Sequence, residues 1–377
     1  MSTHQPESGT PLPVRPIIDA HLDLAWNAVS YNRDLMLEVK ALRQSEAGMT
    51  DEPCRGRATV TLPEMRRAGV RVCIATLLAR SGPSQQYKAS LRRSDADHAS
   101  PMIAHAHAHA QLAFYLALED AGEATIIRNS GDLQKHWNRH INHEGSTAPL
   151  GIILSMEGAD PMIDPDSADS WKKAGLRIVG LAHYGQGRYA AGTGGKGGLT
   201  KQGVDLIHRL NTLDMILDMT HLTDDGLEQS LDLFTGPVIA SHHNCRALVP
   251  GQRQITDRHI RAMSERGAVI GVALDAWMLH KDWERGVTSP GVLNLTAVAD
   301  HVDHICQVTG CVSHVGIGSD LDGGFGTEQT PCDLDTIRDL QELDAILAKR
   351  GYTNDEIDAV FHGNWLKFFS SHLPQES

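Results

Sequence analysis

Aromatic side chains are scarce in this 377-residue chain, at 5% of the total. A core poor in rings has to be built from aliphatic layers. No stretch approaches the ~18–20 consecutive apolar residues that cross a bilayer, so a membrane-spanning helix is excluded. Basic residues are in deficit, 34 Lys and Arg against 47 Asp and Glu, for a net charge of −13 with histidine neutral. Such a surface repels phosphate backbones and anionic lipid, which argues against nucleic acid and membrane as partners. The six cysteines form no CxxC pair and several lie in apolar runs, so they are expected to be reduced thiols in a reducing compartment. The opening "MSTHQPESGTPLPVRP" lacks the basic-then-apolar pattern of a secretory leader. The expectation is a soluble cytoplasmic protein.

Glycine (35 residues) and histidine (21 residues) are plentiful. After a loose polar tail at 1–14, eight short apolar runs recur, at 16–23, 70–78, 150–157, 176–183, 215–221, 237–242, 268–275 and 314–320. Most are rich in Ile, Val and Leu, as strands buried on both faces should be. Helical patterns lie between most of them. Residues 199–213, 223–234 and 256–267 carry apolar positions at helical spacing behind a polar start. Thr353 and Glu356 have the spacing of a capping box before the last helix. Eight buried strands alternating with helices predict an α/β fold, a (β/α)₈ TIM barrel. An open doubly wound sheet is disfavoured, because no Gly-rich phosphate loop follows the first strand. Residues 27–60 and 81–122 exceed ordinary connections and read as insertions after strands 1 and 2, the first lying over the mouth. One domain, 15–372, is expected, with a short tail at 373–377.

Metal-competent residues end the strands. Strand 1 ends in His21 and Asp23, strand 3 in Glu157, strand 4 in His183, strand 5 in His221, strand 6 in His242 or His243, and strand 8 in Asp320. In a parallel barrel all the carboxyl ends meet at one face, so residues up to 300 apart converge there. His21 and Asp23 project from one side of their strand, and imidazole with carboxylate is a donor set for a borderline metal such as Zn²⁺. His21, Asp23, Glu157 and two later histidines make five donors. Five suit two ions with one bridging carboxylate, and Glu157 has two oxygens to share. Neighbours on an extended chain point to opposite faces, so one of His242 and His243 faces the site. If strict alternation places His242 at the mouth, Val238 and Ala240 face the axis and Ile239 faces the helices.

The segments "IDAHLDL", "SMEGAD", "GLAHYG", "GLTKQGVDLIHRLNTLDMILDMTH", "PVIASHHNCRAL", "RQITD" and "VGIGSDLDGG" resemble the membrane (renal-type) dipeptidases, a metallopeptidase family within the amidohydrolase superfamily. The likeness runs from about residue 16 to about residue 370. It implies a zinc-dependent dipeptidase that hydrolyses short substrates through a metal-bridging hydroxide, with a D-residue accepted at the C-terminal position. It implies two Zn²⁺ ions, the first on His21 and Asp23, the second on His221 and His242, with Glu157 between them. His242 is selected over His243 because the family's serine-histidine pair matches Ser241-His242. By the same likeness His183 contacts the substrate near the scissile carbonyl, Arg253 pairs with its carboxylate, and Asp320 shuttles the proton. Asn364 falls in the family's C-terminal Gly-Gly-Asn segment, where His362 replaces a glycine. The partners implied are a small peptide substrate and a second copy of the chain in a homodimer.

Strand 7 departs from the family, which ends it in an aromatic pair. Here Leu274 and Asp275 stand there, with Trp277 behind. Asp275 is a candidate for recognising a substrate ammonium group. The alternatives are another amidohydrolase-superfamily hydrolase (lactonase, deaminase or phosphoesterase) or a non-catalytic metal- or peptide-binding descendant. Intact Asp320 and all five donors argue against the last. The histidine-alanine run at 105–109 reads as a helix with His105 and His109 on one face, Asp322 as a turn residue, and "GTGGKGGL" as a loop near the mouth.

Overall fold

The structure, a computed structural model, describes residues 14–81, 96–142 and 148–375. The expected tail at 1–14, the loop within 81–122 and the last residues of the C-terminal tail lie wholly or largely outside these. Eight strands appear where the apolar runs predict them: β1 (Ile17–Leu22), β2 (Val70–Leu78), β3 (Leu150–Glu157), β4 (Ile178–Gly180), β5 (Ile216–Asp218), β6 (Val238–Ile239), β7 (Ile270–Val272) and β8 (Val315–Ile317). β1 to β6 pair in that order, all parallel, with a short strand at Ala124–Ile126 beside the first half of β3. β7 pairs with β8, and a bridge between Ala240 and Ile270 joins this pair to β6. From β8 the chain returns to β1: Asp320 N–H donates to the His21 carbonyl (3.2 Å), and Ser319 N–H to the buried Asp19 carboxylate (2.8 Å). The fold is mixed α/β with a curled parallel sheet wrapped in helices.

The intervening helices start as their sequences specify. Thr200, Thr223 and Thr256 each accept a hydrogen bond from the backbone N–H three residues on, which satisfies a donor that the first helical turn leaves unpaired. Thr353 and Glu356 form the reciprocal capping box.

The concave side of the sheet is filled by Ile18, Ala20, Val72, Ile74, Ile153, Ile178, Ile216 and Ile239. Trp365, Phe368 and Phe369 of the last helix plug its amino end. Val238 and Ala240 pack instead with the helices, so the alternation expected for strand 6 is reversed. His242 still reaches the concave side, because regular β6 stops at Ile239 and the chain beyond it no longer alternates. The carboxyl ends of β6, β7 and β8 crowd together there. A Cβ at Gly271 or Gly318 would lie about 2 Å from the Ser241 carbonyl oxygen, so only glycine fits at either place.

Candidate metal centre

At the carboxyl ends of the strands, a cavity of about 570 Å³ opens to solvent. Trp26, Tyr31 and Glu52 line one side, from the segment that follows β1. Trp277, Trp283 and Phe325 contribute further aromatic wall. At its floor lie Asp23, Glu157, His183, His221, His242 and Asp320, with His21 buried beneath.

Glu157 is the hub. Its Oε1 lies 3.6 Å from His21 Nε2, 3.7 Å from His183 Nε2, 3.2 Å from His221 Nε2 and 3.4 Å from His242 Nε2. His21 Nε2 is 3.7 Å from Asp23 Oδ1 and 3.8 Å from Asp320 Oδ1. The Nε2 atoms of His221 and His242 are 3.1 Å apart. Seven residues, spread over 300 positions of sequence, thus aim donor atoms at one small volume.

The electrostatics are those of a cup that lacks positive charge. Burial, reinforced by Asp23 and Asp320, pushes the Glu157 carboxyl well above its ordinary range. Burial and Asp23 do the same to Asp320. Burial lifts Asp23 to about 6 against the opposing hydrogen bond from the Thr76 hydroxyl. The imidazoles move the other way. Burial, with Arg253 adding to it, lowers His21 to about 3, and burial holds His183, His221 and His242 well below their usual value. Neutral rings offer lone pairs. His21 Nε2 and Glu157 Oε2 are buried without a hydrogen-bond partner, which is costly unless something compensates. Carboxylates, neutral imidazoles and orphaned donor atoms within one buried volume fit divalent cations.

Two site residues have left-handed backbone, His221 at φ 68° and Asp320 at φ 58°. Neither is glycine, so each conformation is held at a cost by its surroundings, as is common at functional sites.

The other residues singled out in the sequence fall as follows. Arg253 is buried behind His242 and donates from Nη2 to the His242 carbonyl (2.8 Å). Its Nε and Nη1 have no partner. His243 is buried outside the cluster: it joins none of the three-ligand groups among the described residues and does not line the cavity. Asp275 lines the cavity but is partly engaged, accepting from Gln329 Nε2 (2.8 Å) and Trp277 N–H (3.4 Å). Burial raises its carboxyl to about 6. Asn364 lies remote from the site, donating to the carbonyls of Val312 and Val315 at the base of β8. Asp322 accepts from Thr59 and Val60, which ties the segment after β1 to the turn after β8. His105 and His109 share a helix face, with His109 stacked on Trp171. No three-ligand cluster lies on that helix among the described residues.

Sequence reasoning missed several residues. Arg80 approaches His183 Nδ1 (3.3 Å), and Thr193, from the glycine-rich loop, meets His221 Nδ1 (3.0 Å). Ser241 Oγ meets His242 Nδ1 (2.9 Å), and the Tyr184 ring packs on His183 and His221. Arg80 and Thr193 carry no motif of their own. Tyr184 follows the predicted His183, and that adjacency was its one signal; Ser241 entered the sequence reading only as half of the family's serine-histidine pair, with no role of its own.

Among the described residues, no helix is long and apolar enough to cross a membrane. A protein from the pqqA 5′ region of Klebsiella pneumoniae is 30% identical over 67% of this chain and 90% of its own length. Dipeptidase tcpJ of Claviceps purpurea is 26% identical over 58% of this chain, which spans half of that protein. Two crystal structures share the fold. Dipeptidase AC, a metallopeptidase of family M19, has a TM-score of 0.75 at 24% identity, covering 96% of this chain and 99% of its own. A metallopeptidase from Rhodobacter sphaeroides, liganded with a phosphinate mimic of the dipeptide L-Ala-D-Ala, has a TM-score of 0.74 at 23% identity, covering 96% and 100%. The sequence model of the membrane dipeptidase family, peptidase family M19, matches residues 12–373, and the chain belongs to that family.

Proposed function

We propose that this chain is a metal-dependent dipeptidase that holds two Zn²⁺ ions on His21, Asp23, Glu157, His221 and His242 and cleaves the peptide bond of short substrates. The observation that carries this is the convergence of four imidazole Nε2 atoms within 3.7 Å of one Glu157 oxygen. The eight strands are read as a (β/α)₈ barrel within one domain, 15–372, with 27–60 and 81–122 as insertions. Support for closure comes from the Ala240–Ile270 bridge and the hydrogen bonds from Ser319 and Asp320 back to β1.

When bound, such ions polarise a carbonyl and lower the pKa of water toward about 7. The protein supplies the rest. Glu157 has two carboxylate oxygens and can serve both ions. His183 donates a hydrogen bond to the carbonyl oxygen as it gains negative charge. Asp320 takes the proton of the attacking water and passes it to the leaving amine. Arg253, with two donors unpaired, offers a planar fork to the substrate carboxylate. Asp275 meets the substrate ammonium group. A carboxylate grip this close to the scissile bond favours substrates with a free C-terminus one residue away. The Rhodobacter sphaeroides structure holds a mimic with a D-residue at that end, which makes L,D-dipeptides a first choice beside L,L-dipeptides.

The test is a panel of L,L- and L,D-dipeptides against protein loaded with two equivalents of Zn²⁺. Hydrolysis that a chelator abolishes and Zn²⁺ restores is expected. A fully loaded protein that cleaves none of them would refute the reading.

A further inference from the structure

Geometry alone does not separate the four imidazoles. His183 falls in a ligand-like cluster with Glu157 and His221, their donor atoms all within 4.8 Å of one another, just as His21 does with Asp23 and Glu157. What separates them is the partner of the far ring nitrogen. A neutral imidazole carries one proton, so whatever occupies Nδ1 decides what Nε2 presents to the cup.

Three rings face hydroxyls, which can accept as well as donate. Asp218 Oδ1 accepts two backbone N–H groups, from Thr220 and Ser241 (3.0 Å each), and also accepts the Thr220 hydroxyl (2.7 Å). Thr220 has then spent its proton and accepts from Ser241 Oγ (3.3 Å). With the Ser241 proton directed at Thr220, the Ser241 oxygen can accept from both His242 Nδ1 (2.9 Å) and His21 Nδ1 (3.4 Å). In that arrangement both rings carry Nδ1–H and turn an Nε2 lone pair to the cup, as ligands to a cation must. Thr193 Oγ1 reaches both the His221 carbonyl (3.4 Å) and His221 Nδ1 (3.0 Å), so with its proton on the carbonyl it accepts from Nδ1, with the same result.

His183 is the opposite case. Its Nδ1 faces Arg80 Nη1 at 3.3 Å, and a guanidinium has donors and no acceptor. Asp97 holds that guanidinium through Nη2 (2.8 Å). Arg80 and Asp97 belong to two short strands, Arg80–Ser81 and Asp97–His98, paired beside the cavity.

We propose that Arg80 is a positioning residue that fixes His183 as its Nε2–H tautomer, so that His183 is a hydrogen-bond donor to substrate and not a metal ligand. This rests on the proposed peptidase reading, since a donor aimed into the cup serves to stabilise a developing oxyanion. It adds a cause for the division of labour among the rings: the group behind His183 can only donate, and the groups behind the other three can accept.

The experiment is a two-bond ¹H–¹⁵N correlation spectrum of histidine-labelled full-length protein, metal-free and Zn²⁺-loaded. The His183 signals are identified by their loss in His183→Gln. The wild type is expected to show His183 protonated at Nε2 in both forms. In Arg80→Met the His183 shifts move toward a tautomer mixture, and kcat falls about 10- to 100-fold with KM within about twofold, the usual scale for lost support behind a site residue. Arg80→Lys, which still donates, restores the single tautomer. A wild-type His183 protonated at Nδ1, a Zn²⁺-bound His183 Nε2, or an unmoved tautomer in Arg80→Met overturns the proposal. The wild-type spectrum decides even if both Arg80 variants fail to fold. Absence of dipeptide turnover by the wild type would sink the peptidase reading and leave the spectrum as it is.

Discussion

Replacing Glu157 by glutamine should make the metal-free protein more stable and the metal-loaded protein less so. Without cations, Glu157 is a buried carboxyl 6% exposed, with Oε2 unpartnered and Asp23 and Asp320 close by. Its folded-state pKa is raised above the unfolded value. The wild type therefore bears no penalty below the ordinary carboxyl range and a growing one as pH climbs toward the folded pKa. Glutamine keeps the shape and removes that burden. Exchanging a buried, unpaired carboxyl for a neutral group of like size is worth roughly 1–3 kcal/mol, or about 1–4 °C in Tm for a chain of this length. With cations the order inverts. Two sites filled at a hundredfold excess over Kd add about 5 kcal/mol to the wild type, and the variant loses the donor shared between them. The assay is differential scanning calorimetry at pH 7 in EDTA and in Zn²⁺, repeated in EDTA near pH 4.5, where the gap should shrink. A variant less stable than wild type in EDTA at pH 7, or stabilised equally by Zn²⁺, would refute the account of Glu157 as a hub built for positive charge.

Asp320→Asn should retain its metal content and lose about 10²–10⁴-fold in kcat, the range for a removed general acid–base; equal loss of metal would instead make Asp320 a ligand. Arg253→Met should lower kcat/KM about 10²- to 10³-fold on free-acid dipeptides, by loss of a charge-assisted pair. It should scarcely alter turnover of the corresponding C-terminal amides, and equal losses on both would dissociate Arg253 from the carboxylate. Asp275, with its carboxyl raised to about 6, is ionised above that pH and neutral below it. Preference for free-amino over N-acyl dipeptides should therefore fall as pH drops through about 6 in the wild type, and be low at all pH values in Asp275→Asn. An unchanged preference in the variant would remove Asp275 from recognition.

The strands and most of the donors were legible in the sequence because both are local properties. A buried parallel strand is an aliphatic run whatever surrounds it, and a Thr three residues ahead of a helical N–H caps it without tertiary help. The placement of His21, Asp23, Glu157, His183, His221 and Asp320 at the ends of such runs was therefore visible. Alternation failed at β6, where regular strand stops at Ile239 and two glycines let neighbouring backbones close on Ser241. The left-handed turns at His221 and Asp320 likewise leave no trace in residue type.

From its sequence alone this protein determined eight aliphatic runs, their helical partners and the metal-competent residues ending six of the strands, since those follow from contacts within a few positions. Only the tertiary structure decided that seven such residues share one cup. It also decided that Asp218 lies behind Thr220, Ser241 and two imidazoles, and that Arg80 lies behind a fourth ring. Those neighbours are chosen by how the sheet curls and where its ends crowd, and no local pattern encodes which nitrogen of a ring will meet a donor and which an acceptor.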